Sequence, residues 1–462
     1  MKKLMAREVA KAMSGSLVCG DAESWILGIS TDSRALKPRM AFFPLIGDRF
    51  NGHDFMFDAI DAGAAVLVCS EDPAPVLSRA KSKDVVVIKV DDTLLALQEL
   101  AAYYLRQFQL HRIAVTGSTG KTTTKELLFH ILSERYKTVR NRGNLNNLIG
   151  LPLSIFEIDE TTEAAVFELG MDRIGEIRRL VEIFRPQIGL ITNVGHSHLE
   201  RLGSRENILA AKLEIASLLE DGDTLVINTD NDLLSGFRPE GPYHVVRVGR
   251  SDHADIRIVS AESRGQDGIV FTLQSESETA DFTLSMAGLH NAGNSAMAVG
   301  AATCLGIDLQ TAARGLAKAT ATDKRLNIKE IRGIRIIDDT YNASPDSMRA
   351  AIDVLSASAG GRKIAILGDM FELGPEEELH HREVGEYALK SGIDVVISVG
   401  KNARHISSGA EGGSARAIHF DNQELLREVL DQWIRTGDTV LVKGSRGMEM
   451  DHIVALLETG RK

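Results

Sequence analysis

Short apolar, β-branched runs recur along this chain and alternate with stretches whose apolar residues fall at helical spacing. One such run, His111-Arg-Ile-Ala-Val115, reads as a buried strand. It leads into Thr116-Gly-Ser-Thr-Gly-Lys-Thr-Thr-Thr124, and Lys125 to Leu132 then takes up helical periodicity. Strand, glycine-rich turn and helix in that order make a phosphate cradle. Gly117 and Gly120 let the backbone turn tightly and present its N–H groups to an anion. Thr116, Ser118 and Thr119 complete the loop, Lys121 supplies a positive charge, and the Thr122 hydroxyl can ligate Mg²⁺. The full Walker spacing needs a glycine where Val115 stands, so the loop is a shortened variant.

The same alternation divides the chain into three α/β units. Residues 1–108 carry strands at Ile26 to Ser30, Met40 to Leu45, Ala64 to Cys69 and Val85 to Val90, then a helix from Thr93 to Phe108. Two polar loops stand out there: Ser30-Thr31-Asp32-Ser33-Arg34, and Gly47 to His53 with Arg49. Each reads either as a solvated turn or as a ligand loop. Residues 109–322 form a central unit with the phosphate loop and a parallel sheet, including strands at Ala164 to Glu168 and Gln187 to Val194. Residues 243–286 read as a meander of short strands. Residues 323–462 alternate strand and helix as a doubly wound, Rossmann-like domain without a phosphate loop of its own.

Several polar positions lie where chemistry is expected. Open α/β sheets bind ligands beyond the carboxyl ends of their strands. Glu168 ends one strand and His198 follows another, so both are candidates for the shell around a nucleotide's metal. The loop Asn141 to Gly150, with Asn144, Asn146 and Asn147, is an Asx-turn cluster or a site for a polyhydroxyl or peptide ligand. Asn291 and Asn294 open a small-residue helix, as caps or as contacts to a base. In the helix after Ser204, Lys212 shares one face with Ile208, Ile215, Ala216 and Leu219. Its ammonium either snorkels to water or sits, costly and with a falling pKa, at an active site.

Composition narrows the classes. The 462 residues carry a formal charge of −11, which argues against a nucleic-acid surface. The 3 cysteines have no metal spacing and fit a reducing, cytoplasmic setting. No run is long enough to span a membrane, and the N-terminal residues read as a short amphipathic helix interrupted by charge. After Asn228 there is no lysine to complete a guanine-specifying motif, which counts against a nucleotide switch.

The phosphate loop, Gly143-Asn-Leu-Asn-Asn-Leu-Ile-Gly-Leu-Pro152, Asp338-Asp-Thr-Tyr-Asn-Ala-Ser-Pro-Asp-Ser-Met348 and Leu367-Gly-Asp-Met-Phe-Glu-Leu-Gly374 together resemble the Mur ligases of bacterial cell-wall synthesis. The resemblance spans essentially the whole chain and is nearest to the branch that takes D-alanyl-D-alanine as its amine. It implies that ATP phosphorylates the carboxylate of a UDP-muramoyl tripeptide and that an amine then displaces phosphate. It matches Thr122, Glu168, His198 and Lys212 to metal positions, with Lys212 carbamylated and with Lys121, Lys212 and His198 in catalysis. It further implies that Asn291, Asn294, Arg325, Asp339 and Tyr341 bind ATP. Ser30 to Arg34, Arg49 and the asparagine loop would bind the UDP-peptide, in a protein expected to be a monomer. The alternatives are a sister ligase adding a single amino acid and a folylpolyglutamate synthase-like ligase.

Overall fold

The computed structural model describes residues 1–413 and 415–460. Each of the three units is built on its own sheet. The first has five strands, and those at Gly28–Ser30, Met40–Phe42, Val66–Cys69 and Val86–Lys89 run parallel. Ser16–Cys19 adds an antiparallel edge. Its residues are largely exposed, which is why no apolar run marked it.

The central sheet has nine strands. The strand His111–Thr116 lies third from one edge, between Ala164–Glu168 on one side and Ile188–Ile191 on the other. Register places Glu168 beside Val115 and Ile191 beside Thr116, so both neighbouring strands end at the phosphate loop. Alternation along the strand sorts its side chains between two layers. Ile113 and Val115 pack with Leu127, Leu128 and Ile131 of the loop's own helix, Lys121–Leu132. Ala114 faces the opposite layer with Phe167, Leu180 and Leu97. The expected meander over 243–286 is corrected in part: His244–Gly249 continues the main sheet in parallel beside Thr224–Asn228. Only Ile256–Ser263, Ile269–Gln274 and Thr279–Leu284 form an antiparallel meander. Exposed turn residues between them mask the change of direction.

The third sheet has six strands. Ile334–Asp339, Thr439–Lys443, Lys363–Gly368, Val395–Val399 and Arg416–Phe420 are parallel, and Asn327–Ile331 folds back as an antiparallel edge. Central and third units are joined differently from first and central. The helix Thr93–Leu105 of the first unit shares one core with the central sheet. The Tyr104 hydroxyl donates to Ile158 O at 2.6 Å, and Arg179 holds Gln98 and Glu99. The third unit instead meets the central one through loops, with Glu200 N donating to Glu372 O at 3.0 Å. Helix Pro345–Ala357 opens with the N-cap Ser344, which accepts from Ser347 N, and Pro345 in its first turn.

Candidate active site

A cavity of about 890 Å³ lies where the three units meet, lined by the phosphate loop, the asparagine loop and the carboxyl ends of third-unit strands. The phosphate loop reaches its conformation through a backbone only glycine adopts easily. Gly120 has φ +77°, and a Cβ there would lie 2.4 Å from Asn294 Oδ1. Lys121 Nζ donates to Gly117 O at 2.7 Å and to Ser118 O at 3.3 Å, so the ammonium curls back over its own loop. Burial pulls its pKa down, and Glu168 opposes this.

The Thr122 hydroxyl donates to Glu168 Oε2 at 2.7 Å, and Asn146 Nδ2 donates to Glu168 Oε1 at 2.7 Å. Glu168 is held from behind as well, because Asn141 Nδ2 donates to its carbonyl and Asn141 Oδ1 accepts from its N–H, both at 2.9 Å. Two oxygen ligands suited to a hard divalent cation thus converge beside the phosphate cradle. Lys212 is 1 % exposed, and among the described residues its ammonium has no hydrogen-bond or ion-pair partner. Burial, with the Lys121 charge nearby, lowers its pKa well below the usual lysine value. The snorkelling alternative needs a fully hydrated ammonium, for which this burial leaves little room.

His198 adopts a left-handed backbone at φ +64°. Its Nδ1 lies 2.7 Å from Glu372 of the third unit and 3.4 Å from Asp172. Asp172, His198 and Glu372 bring their ligand atoms within 4.8 Å of one another. Arg201 stands 3.1 Å from Asp172 and 3.9 Å from Glu372, so it offsets one of the two negative charges.

On the far wall, Asn291 Nδ2 donates to Ala287 O at 2.8 Å and Asn294 Nδ2 donates to Asn291 Oδ1 at 2.9 Å. The Arg325 guanidinium lies 3.9 Å from the Tyr341 ring centre and Arg446 lies 5.5 Å from it. Asp339 accepts from Lys443 Nζ at 2.5 Å and from Leu326 N at 3.1 Å.

The structure therefore brings Ser118 to Thr122, Glu168, His198, Asn146, Asn147, Asn291, Asn294, Arg325, Asp339 and Tyr341 around one cavity, while Thr116 and Gly117 do not line it. Asn147 also caps the following helix, accepting from Ile149 N and Gly150 N. Lys212 lies behind the wall, and Asn144 is exposed outside it. Ser30 to Arg34 and Arg49 are outside it too. Arg34 pairs with Asp32 at 2.8 Å, which pulls the Asp32 carboxyl down to about 2, and Ser30 Oγ donates to Asp32 O at 2.8 Å.

Two groups lining the cavity carry no strong signal in the sequence. Asn193 Oδ1 accepts from Ser118 N at 3.0 Å and Thr119 N at 2.9 Å, bracing the loop from the next strand. A Thr-Asn pair directly after an apolar strand is the available signal. Lys443 ends a third-unit strand, where a lysine is unremarked. Register sets it beside Asp339 across neighbouring strands.

A phosphate loop in a three-layered central unit, facing a second doubly wound domain across a shared cavity, defines a class of nucleotide-using ligases, and the chain belongs to the Mur ligase family. The Mur ligase middle domain matches residues 115–302, the Mur ligase glutamate ligase domain residues 324–446, and the Mur ligase family catalytic domain residues 26–105. The UDP-N-acetylmuramoyl-tripeptide–D-alanyl-D-alanine ligase of Bacillus subtilis is 38 % identical, covering 98 % of this chain and 98 % of the relative. A crystal structure of MurF from Acinetobacter baumannii superposes with a TM-score of 0.91 at 32 % identity, covering 99 % of both chains. MurF ligase from Thermotoga maritima in complex with ADP gives a TM-score of 0.81 at 27 % identity, over 93 % of this chain and 97 % of that one.

Proposed function

We infer that the protein is an ATP-dependent amide ligase that joins D-alanyl-D-alanine to the UDP-N-acetylmuramoyl tripeptide, releasing ADP and phosphate. The observation carrying this reading is the full-length match to ligases of that name, on a chain whose phosphate loop stands against an oxygen pair, Thr122 and Glu168.

In this reading ATP lies along the loop with its γ-phosphoryl group toward Lys121. The tripeptide carboxylate attacks that phosphorus, ADP leaves, and an acyl phosphate forms. The amine gives up its ammonium proton to solvent, its nitrogen lone pair attacks the acyl carbon, and phosphate leaves from the tetrahedral intermediate as the nitrogen loses a second proton. The loop N–H groups and Lys121 are placed in advance for charge on the transferred group. To serve it, Lys121 exchanges its bonds to Gly117 O and Ser118 O for phosphate oxygens. Thr122 and Glu168 would hold Mg²⁺, which when bound neutralises charge across the β- and γ-phosphoryl oxygens. Arg325, Tyr341, Asn291, Asn294 and Asp339 line the rest of the nucleotide's side of the cavity.

Lys212 fits a carbamate on the same reading. Burial and the nearby Lys121 charge favour the neutral amine more than at an exposed lysine, and the neutral amine is the form that reacts with CO₂ to give a carboxylate beside Lys121. His198 lies where the central and third units meet, its Nδ1 2.7 Å from Glu372, and is assigned to the metal's surroundings. Ser30 to Arg34 and Arg49 are assigned to the UDP end, and Asn144, Asn146 and Asn147 to the peptide, with the units 1–108, 109–322 and 323–462 serving UDP-substrate, ATP and amine. A monomeric, cytoplasmic enzyme completes the reading.

The test is phosphate release measured with UDP-muramoyl tripeptide and a panel of amines. Release should require D-alanyl-D-alanine. Turnover with single amino acids but not with the dipeptide would move the protein to a sister activity.

A further inference from the structure

The cavity wall contributed by the third unit carries two carboxylates, Asp339 and Asp346. Asp339 is consumed by Lys443 and by Leu326 N. Asp346 is different. Its Oδ2 accepts from His196 N at 3.3 Å and lies 3.4 Å from His196 Nδ1, while its Oδ1 makes no hydrogen bond among the described residues. Arg349, one turn on, is turned away to Glu383 at 2.9 Å.

The place of this carboxylate is unusual. Gly195 N donates to Ser118 Oγ of the phosphate loop at 2.9 Å. A Cβ on Gly195 would lie 2.3 Å from Asp346 Oδ2 and 3.5 Å from Ser118 Cβ. Asp346 is thus separated from the phosphate cradle by the width of one glycine. Burial pushes its carboxyl up, but His196 more than offsets this and the net value is lowered, so the group stays ionised. A fixed negative charge beside a phosphate site repels the nucleotide on its own. It becomes favourable when a cation sits between carboxylate and phosphoryl group. Lys121 is on the loop's own side, and Arg205, the other nearby guanidinium, is engaged by Asp232 at 2.6 Å.

We propose that Asp346 is the receptor for the ammonium of the incoming amine, holding it through Oδ1 against the phosphate loop where the acyl phosphate forms. This rests on the ligase reading above and names the subsite for its second substrate. It accounts for three features together: an unused carboxylate oxygen open to the cavity, its approach over Gly195, and its supply from the third unit. The carboxylate reaches the loop only when that unit is seated on the central one, so the amine subsite and the phosphate cradle are assembled by the same movement.

The test separates formation of the acyl phosphate from its capture. Hydroxylamine is uncharged at neutral pH and traps an acyl phosphate as a hydroxamate without needing an ammonium receptor. Asp346→Asn keeps an oxygen for His196 N and removes the charge. It should raise the KM for D-alanyl-D-alanine by about 30-fold or more, as truncating one partner of a buried charge pair does. It should leave KM for ATP and hydroxamate formation within about threefold of wild type. Asp346→Glu keeps the charge, should retain more dipeptide-dependent turnover than the Asn variant, and serves if that variant misfolds. Parallel loss of hydroxamate and dipeptide turnover in Asp346→Asn would make Asp346 an interdomain latch and overturn the proposal. An unchanged dipeptide KM would also overturn it. Absence of hydroxamate in the wild type would overturn the ligase reading itself along with the subsite.

Discussion

Replacing Lys212 with methionine should make the protein more stable and nearly inactive. Lys212 is 1 % exposed with no partner for its ammonium among the described residues, so the fold carries its desolvation without compensation. Methionine keeps the length of the side chain and removes the charge. Near neutral pH the buried amine costs stability either as an unpaired charge or as a forced deprotonation, so exchanging it for an apolar group of similar volume should gain roughly 1–4 kcal/mol. The pH dependence identifies the cause. The folded-state pKa lies below the model-peptide value of 10.5, so the unfolded chain binds the proton more strongly. Wild-type stability should therefore rise with pH between the lowered folded value and 10.5, by up to about 1.4 kcal/mol per unit. Lys212→Met lacks that slope, so its advantage should shrink as pH climbs. Urea unfolding of both proteins at several pH values in CO₂-free buffer measures this, followed through a probe in the central unit. Bicarbonate should then stabilise the wild type and not the variant, because a carbamate converts the amine into a metal-ready carboxylate. A small added carboxylate should partly restore activity to Lys212→Ala. Equal stability at every pH with normal turnover would refute the reasoning, since the ammonium would then have found water.

Lys121→Ala should lower phosphate release by roughly 10²–10³-fold in a folded protein, the loss expected for a charge placed in advance at a transferring group; near-normal release would sink the loop assignment. Arg325→Ala should raise the KM for ATP about tenfold, through loss of charge and of the stack on Tyr341, with little change for the UDP-peptide. Unchanged ATP kinetics would remove Arg325 from the site. Gly195→Ala places a Cβ 2.3 Å from Asp346 Oδ2, the free end of a flexible side chain, so it should turn that carboxylate aside. The KM for D-alanyl-D-alanine should then rise while the KM for ATP changes little; an unchanged dipeptide KM would count against the subsite.

Much of this architecture was visible in the chain because its central strands are buried on both faces and read as continuous apolar runs. His111 to Val115, Ala164 to Glu168 and Val395 to Val399 are of this kind. Edge strands were harder. Ser16–Cys19 and Arg416–Phe420 are half solvated, so their composition is that of loops. The Lys212 burial was legible because one charged residue on an apolar helical face conflicts with its neighbours. Glu168 and His198 were legible as strand-end polar groups. Asp346 was not. It lies in the first turn of a helix, where an acid needs no special explanation. Only the seating of the third unit over Gly195 gives it a role. The pairing of Lys443 with Asp339 likewise depends on two strands far apart in sequence becoming neighbours.

Phosphorylation of the peptide carboxylate moves one of its oxygens onto phosphorus, so isotopic labelling of that carboxylate reports on the step. UDP-muramoyl tripeptide carrying ¹⁸O in its terminal carboxylate should be turned over with ATP and D-alanyl-D-alanine, and the released phosphate analysed by mass spectrometry. An acyl phosphate requires one carboxylate oxygen to leave with phosphorus, so the phosphate should carry a single ¹⁸O and the nucleotide product should be ADP. Unlabelled phosphate, or release of AMP, would contradict the assignment.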